Sequence, residues 1–372
     1  METETTATFP GLGLSPEILQ DIRAAGYAAP TPIQALAIPP ALEGRDVVGC
    51  AQTGTGKTAA FVIPLVERLA GTAGTGALIL APTRELALQT QAAVDVLGRR
   101  RAVRAVTIIG GLSMAPQTQA LRTRPAIVVA TPGRLLDHLD RGTVRLEGLR
   151  ILVLDEADRM LDMGFAPQID RILGRLPRTR QTLLFSATIP EDVAALTRAH
   201  LRNPAQVTAG RRAAPVAGAT QRIFLAGREE KTSLLLRLLR QEGGRVLVFT
   251  RTKHRADRVA RAVGAAGHRV ERIHGNRSQA QRQHALAGFR SGAYRVLVAT
   301  DIAARGIDVS GVAHVVNYDL PGTFEDYVHR IGRTARAQAT GRASSFVAPD
   351  EREQLRAIER MLGAPVPRAA AP

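Results

Sequence analysis

Short apolar runs recur along this chain, each followed by a polar or glycine-rich turn and then a helix-like pattern. They are DVVGCA (46–51), GALILA (76–81), RAVTII (104–109), AIVVA (126–130), RILVLD (150–155) and QTLLFS (181–186). A second series comprises RVLVFT (245–250), RVERIH (269–274), YRVLVAT (294–300), VAHVVNY (312–318) and ASSFVA (343–348). A strand with one face in water alternates apolar and polar residues, whereas a continuous β-branched run is buried on both faces. Such strands alternating with helices make parallel sheets with helices on either side. The chain therefore reads as α/β, two tandem units each built on a parallel β-sheet flanked by helices. Between the series, NPAQVTAGRRAAPVAGATQ (203–221) lacks apolar periodicity. This predicts an N-terminal domain over 1–207, a flexible linker over 208–217 and a C-terminal domain over 218–362. GAPVPRAAAP (363–372) reads as a low-complexity tail.

Composition narrows the function. The stretch TAAFVIPLV (58–66) is too short to span a bilayer and contains a proline. The opening METETTATFP has acids where a secretory signal carries a basic segment and an apolar run. A single cysteine, Cys50, excludes an intramolecular disulfide framework. A cytoplasmic location is expected. The net charge of +17 is unevenly placed: residues 1–209 hold 22 Lys+Arg against 19 Asp+Glu, and residues 210–372 hold 28 against 14. An excess of +14 in the second half points to a polyanionic partner, nucleic acid foremost, although an arginine-rich background would also leave arginines on solvated faces. Aromatic residues make up 3% and Trp is absent. That is too little for stacking bases on aromatic platforms, so contact with the nucleic-acid backbone is expected rather than base readout.

Only three of the 50 basic residues are lysine: Lys57, Lys231 and Lys253. Lys57 lies in AQTGTGKT (51–58), after an apolar run and before the helical pattern KTAAFVIPLVERL. A loop of Thr53, Gly54, Thr55 and Gly56 in that setting reads as a phosphate cradle, with the helix N-terminus facing the anion. Lys57 reaches the β and γ phosphates as a compact charge, where a wide planar guanidinium would not fit. Thr58 supplies a hydroxyl to Mg²⁺. LVLDEADRM (152–160) ends another run. Asp155 is placed to hold Mg²⁺, partly through water, and Glu156 to polarise the attacking water. Paired acids at a strand end also occur as ordinary helix N-terminal acids; beside a phosphate loop they read as catalytic. A nucleoside triphosphate and Mg²⁺ are the expected cofactors.

Further motifs follow in order: GYAAPTPIQ (26–34), PTRELA (82–87), GG (110–111), TPGR (131–134), SAT (186–188), VFTRT (248–252), QAQR (279–282), TDIAARGID (300–308) and HRIGRTAR (329–336). In this order and spacing, residues 9–348 resemble the core of DEAD-box RNA helicases. The resemblance implies two RecA-like domains that close on ATP, Mg²⁺ and RNA, an RNA-stimulated ATPase that locally unwinds short duplexes or remodels RNA–protein complexes. It implies that Gln34 hydrogen-bonds adenine, that Tyr27 stacks on it with Phe9 as the upstream aromatic, and that Asp308 meets the ribose. It implies Arg333 and Arg336 as arginine fingers on the γ phosphate. Thr83, Arg84, Gly111, Thr131 and Arg134, with Arg251, Arg282 and Thr300, would line the RNA backbone. Ser186 and Thr188 would hydrogen-bond within the carboxylate motif and, with His329, couple hydrolysis to strand separation. Two departures stand out: Ala51 where the loop usually starts with Gly, and Ala335 where Gly is usual; the second puts turnover rate in question.

Overall fold

Every apolar run named above forms a strand. The computed structural model describes residues 7–52, 54–209, 219–301, 312–334 and 341–370, and by packing the chain divides into two units, 1–210 and 211–372. The first unit contains β1 (Val47–Ala51), β2 (Ala77–Leu80), β3 (Ala105–Ile108), β4 (Ile127–Ala130), β5 (Ile151–Leu154), β6 (Gln181–Ser186) and β7 (Ala205–Ala209). These pair in the order β3-β4-β2-β5-β6-β1-β7, all parallel. Its helices are α1 (Pro16–Ala24), α2 (Pro32–Leu42), α3 (Lys57–Leu69), α4 (Arg84–Leu97), α5 (Met114–Arg122), α6 (Pro132–Asp140), α7 (Ala157–Asp162), α8 (Ala166–Leu173) and α9 (Glu191–His200).

Burial on both faces explains the uninterrupted runs. Ile79, Val129 and Val153 face a core shared with α2, α3 and α4, while Leu78, Leu80, Leu152 and Leu154 face a second core with α6, α8 and α9. Each such fully buried side chain contributes about 1.5–3 kcal/mol of transfer free energy.

The second unit contains β8 (Ala219–Leu225), β9 (Val246–Thr250), β10 (Val270–Ile273), β11 (Val296–Thr300), β12 (His314–Asn317) and β13 (Gly341–Val347). Their order is β10-β11-β9-β12-β13-β8, again parallel throughout. Its helices are α10 (Lys231–Gln241), α11 (Lys253–Ala265), α12 (Gln279–Ser291), α13 (Phe324–Ile331) and α14 (Arg352–Leu362). The expected fold class, two parallel-sheet α/β units, is the one observed.

One strand, β7, falls inside the segment read as aperiodic, and a second, β8, begins in it. β7 and β8 are edge strands, so each has one neighbour and keeps polar residues such as Gln206, Thr208, Thr220 and Arg222 among its apolar ones. Thr208 and Ala209, read as linker, belong to β7; the rest of that stretch lies outside the described residues. The segment read as a low-complexity tail also carries structure. Ile223 donates its N–H to the Pro367 carbonyl and accepts from the Ala369 N–H, at 2.8 and 2.9 Å. Val366 is buried beside Leu355 and Ile358. The open edge of β8 and an apolar gap beside α14 give this segment partners that its composition does not reveal.

Candidate nucleotide and RNA site

In a parallel sheet all strands end on one side, where ligands of open α/β folds bind. The order of the first sheet sorts the motifs along that side. β1, β6 and β5 are neighbours, with Cys50 opposite Ser186 and Leu154 opposite Leu184, so the phosphate loop, SAT and the acid pair emerge side by side. β2, β4 and β3 lie on the other flank of β5 and carry PTRELA, TPGR and GG.

The phosphate loop turns through left-handed backbone at Gly54 and Gly56, with φ of 87° and 94°. A Cβ at Gly56 would stand 2.5 Å from Gln34 Nε2, so both conformation and space demand glycine there. Gly56 caps α3 without a side-chain hydrogen bond, which leaves the first-turn N–H groups facing the loop. Lys57 is buried, and its ammonium donates to the Ala51 carbonyl at the loop's start. Thr58 is half-buried on the first turn of α3. Thr53 lies outside the described residues. Gln34 is fully buried; its Oε1 accepts from Thr31 N at 2.9 Å and its Nε2 donates to Gly56 O at 3.1 Å. This ties the segment 26–34 directly to the loop. Phe9 packs edge-on against Tyr27 with ring centroids 6.3 Å apart, and burial raises the Tyr27 hydroxyl above its ordinary pKa.

The acid pair follows β5. Asp155 is 2% exposed, and burial together with neighbouring Glu156 pushes its pKa up to about 7, against the pull of Lys57. Glu156 caps α7 in a left-handed conformation, φ 51° and ψ 53°, which costs a non-glycine residue about 1–2 kcal/mol. Its Oε2 accepts from Arg159 Nη1 at 2.8 Å, both side chains being buried. Asp158, two residues on, holds SAT: its Oδ2 accepts from Ala187 N, Thr188 N and Thr188 Oγ1 at 3.1, 2.9 and 3.0 Å, and its own N–H donates to Ser186 Oγ at 3.2 Å.

These residues fit a nucleotide with a divalent cation. The donor set is hard oxygen, and a carboxylate this deeply buried beside another is short of positive charge. No group of three or more His, Cys, Asp or Glu among the described residues could hold a metal alone, so such a cation would need phosphate oxygens as well.

On the other flank, Thr83 caps α4 by accepting from Leu86 N at 3.3 Å, and Arg84 lies against Gly110 and Gly111. Gly111 has φ 76°, and a Cβ there would collide with the Arg84 guanidinium. Arg134 Nη1 donates to Leu112 O at 2.9 Å, and Thr131 N donates to Ile108 O at 3.1 Å. The glycine pair therefore sits between two arginines from different strand ends.

In the second unit, Arg251 stands at the end of β9, half its side chain exposed, with its N–H on Asp319 Oδ2 at 2.8 Å. Thr300 ends β11, Arg282 is buried on α12, and His329 is half-buried on α13 just ahead of buried Arg333. Asp308 and Arg336 lie outside the described residues.

Sequence reasoning missed two organising residues here. Arg330 is 2% exposed and reaches Asp301 with two bonds, Nε–Oδ1 at 2.6 Å and Nη2–Oδ2 at 2.7 Å. It also donates to Asn317 Oδ1 and Asp319 O and lies 5.0 Å from the Phe249 ring centroid. As one of three arginines within eight residues of HRIGRTAR, it carries no local signal separating a buried bridge from an exposed finger. Asp158 is the last acid of DEAD, a motif the resemblance implied would bond Ser186 and Thr188 without singling out which residue does so.

Residues 31–196 match the DEAD/DEAH box helicase family and residues 230–338 the helicase conserved C-terminal domain. The chain is 46% identical over 355 residues to the DEAD-box ATP-dependent RNA helicase CshA of Geobacillus kaustophilus, covering 95% of this chain and 76% of that protein. It is 45% identical over 357 residues to CshA of Bacillus subtilis, covering 95% and 72%. Among solved structures, S. cerevisiae Dbp5 bound to RNA and ADP BeF3 superposes with a TM-score of 0.89 at 33% identity, covering 98% of this chain and 96% of that one. Mss116p bound to ssRNA and AMP-PNP gives 0.90 at 27% identity, covering 100% and 80%. The phosphate loop beside the DEAD acids on one half of a RecA-like sheet and the arginine–glycine loops on the other thus make this chain a member of the DEAD-box ATP-dependent RNA helicase family.

Proposed function

We propose that the chain is an RNA-stimulated ATPase that opens short RNA duplexes locally or remodels RNA–protein complexes, using the residues described above. The observation that carries this reading is Asp158. It holds Ala187 and Thr188, just past the end of β6, while adjoining the acid pair that follows β5, so a shift at either strand end is felt at the other. Lys57 leaves the Ala51 carbonyl to meet phosphate, and the first-turn N–H groups of α3 complete the cradle. Thr58 and Asp155, together with phosphate oxygens, would hold Mg²⁺, whose chemistry there would be to offset charge on the transferred group. Glu156 accepts from the attacking water. Arg333 and Arg336 supply positive charge to the γ phosphate, and Asp308 the ribose contact.

Thr83, Arg84, Gly111, Thr131 and Arg134, joined by Arg251, Arg282 and Thr300, grip sugar and phosphate, which gives weak sequence preference and salt-sensitive affinity. No described helix is long and apolar enough to cross a membrane, and a cytoplasmic location is proposed on the sequence features above.

The test is ATP hydrolysis with and without single-stranded RNA, beside matched DNA and a Lys57→Ala control. Stimulation by RNA alone, lost in the control, supports the reading. Equal stimulation by DNA, or indifference to both polymers, would leave the nucleotide site in place and refute RNA as partner.

A further inference from the structure

Arg159 follows the DEAD residues directly and has no role in the reading above, yet it is 3% exposed and committed to Glu156. Its Nη1 holds Glu156 Oε2 at 2.8 Å. Its own backbone N–H donates to Asp158 Oδ1 at 2.9 Å, on the carboxylate whose other oxygen secures SAT. Glu156 Oε1 accepts no hydrogen bond from any described residue, and Arg159 Nη2 is a buried donor without a partner among them.

We propose that Arg159 is a positioning residue for Glu156: it fixes Oε2, so that the strained left-handed turn presents Oε1 in one orientation. Glu156 occupies φ 51° and ψ 53°, a conformation a non-glycine residue keeps only when its surroundings over-determine it. Glutamate also has three side-chain torsions, and an unheld carboxylate would sample several rotamers. One charge-assisted bond to one oxygen removes that freedom and leaves the second oxygen's lone pairs for a water molecule. Nη2 of the same guanidinium is a buried N–H that the ion pair leaves unused. Asp158 completes the chain of contacts: the residue that grips SAT also fixes the backbone from which Arg159 reaches back to Glu156.

This inference rests on Glu156 as the residue that orients the attacking water. The experiment is steady-state ATPase of the full chain at saturating RNA, for Arg159→Ala, Arg159→Met, Arg159→Lys, Glu156→Gln and the double variant Glu156→Gln/Arg159→Ala. Displacing a catalytic group by about 1 Å costs roughly 10²-fold. We therefore expect Arg159→Ala and Arg159→Met to lower kcat about 10- to 100-fold with KM for ATP within about 2-fold of the parent. Arg159→Lys should recover most of that loss. The double variant should be no slower than Glu156→Gln alone, because a clamp has nothing to position once its target is gone.

A second readout needs no turnover. In nucleotide-free protein, hydrogen exchange of the Ala157–Met160 amides should be faster in Arg159→Met than in the parent. Parental kcat in both Arg159→Ala and Arg159→Met overturns the proposal, as does a double variant that adds the two losses. Failure of even Arg159→Lys to fold would assign Arg159 to the core and overturn it too. Glu156→Gln at parental kcat would refute the role of Glu156 itself, a separate result.

Discussion

Thr188 grips Asp158 twice, through its backbone N–H at 2.9 Å and its hydroxyl at 3.0 Å, both on Oδ2. One carboxylate oxygen thereby fastens the end of β6 to the turn that follows β5. The two strands are neighbours in the sheet but 30 residues apart in the chain.

Asp158→Ala leaves the N–H groups of Ala187 and Thr188 without an acceptor. Each unsatisfied buried donor costs about 1–3 kcal/mol, partly recovered where water enters. We expect the first unit to lose about 2–4 kcal/mol. Urea unfolding followed by a probe in that unit measures it, and an unchanged midpoint would mean the contacts carry no net stability.

Lys57 is one of three lysines among 50 basic residues, and it lies buried at the loop's closure. Lys57→Ala should reduce RNA-stimulated ATP turnover by at least about 10²-fold. Lys57→Arg should fail to restore it, since the planar guanidinium is broader than the ammonium it replaces. Substantial activity in Lys57→Arg would contradict the steric argument while sparing the electrostatic one.

Arg330 bridges Asp301, Asn317 and the Asp319 carbonyl from a buried position. Removing one partner of a buried ion pair costs about 3–5 kcal/mol. Arg330→Ala should lower the unfolding midpoint of the second unit accordingly. Arg330→Lys should recover only part, because an ammonium cannot make the two-point contact with Asp301.

His314 is buried between Glu242 Oε1 at 2.9 Å and Ser344 Oγ at 2.8 Å, with Arg342 on the other oxygen of Glu242. Burial holds it below its ordinary value of 6.5, outweighing the pull of Glu242. A group whose folded pKa is depressed contributes stability that is present above the unfolded value and lost as pH falls through the folded one. The second unit should therefore weaken as pH drops below about 6.5. His314→Gln should flatten that dependence in chemical unfolding followed across this range. A slope identical to the parent's would remove His314 as its source.

Much of this was legible in the residues. The apolar runs became strands because burial on both faces demands continuous apolar sequence, and the phosphate loop was legible because its glycines, lysine and threonine serve a purely local geometry. The edge strands β7 and β8 were not, since polar residues such as Gln206, Thr208, Thr220 and Arg222 break up their apolar pattern. Asp158, Arg159 and Arg330 were equally opaque: acids and arginines look alike in sequence whether they are solvated or bonded at both ends. The Pro367 and Ala369 bonds to Ile223 depend on an edge exposed by a strand more than a hundred residues earlier.

By itself the sequence determined that two parallel-sheet units form and which chemical groups stand at the strand ends, because both follow from period, propensity and short-range spacing. Only the tertiary structure decided which of those ends are neighbours. Helical crossovers let consecutive parallel strands lie apart in the sheet, so the order β3-β4-β2-β5-β6-β1-β7 is written in no local pattern. It comes from packing the helices on both faces at once, and it sets the phosphate loop, SAT and the DEAD acids together on one half of the sheet and the arginine–glycine loops on the other.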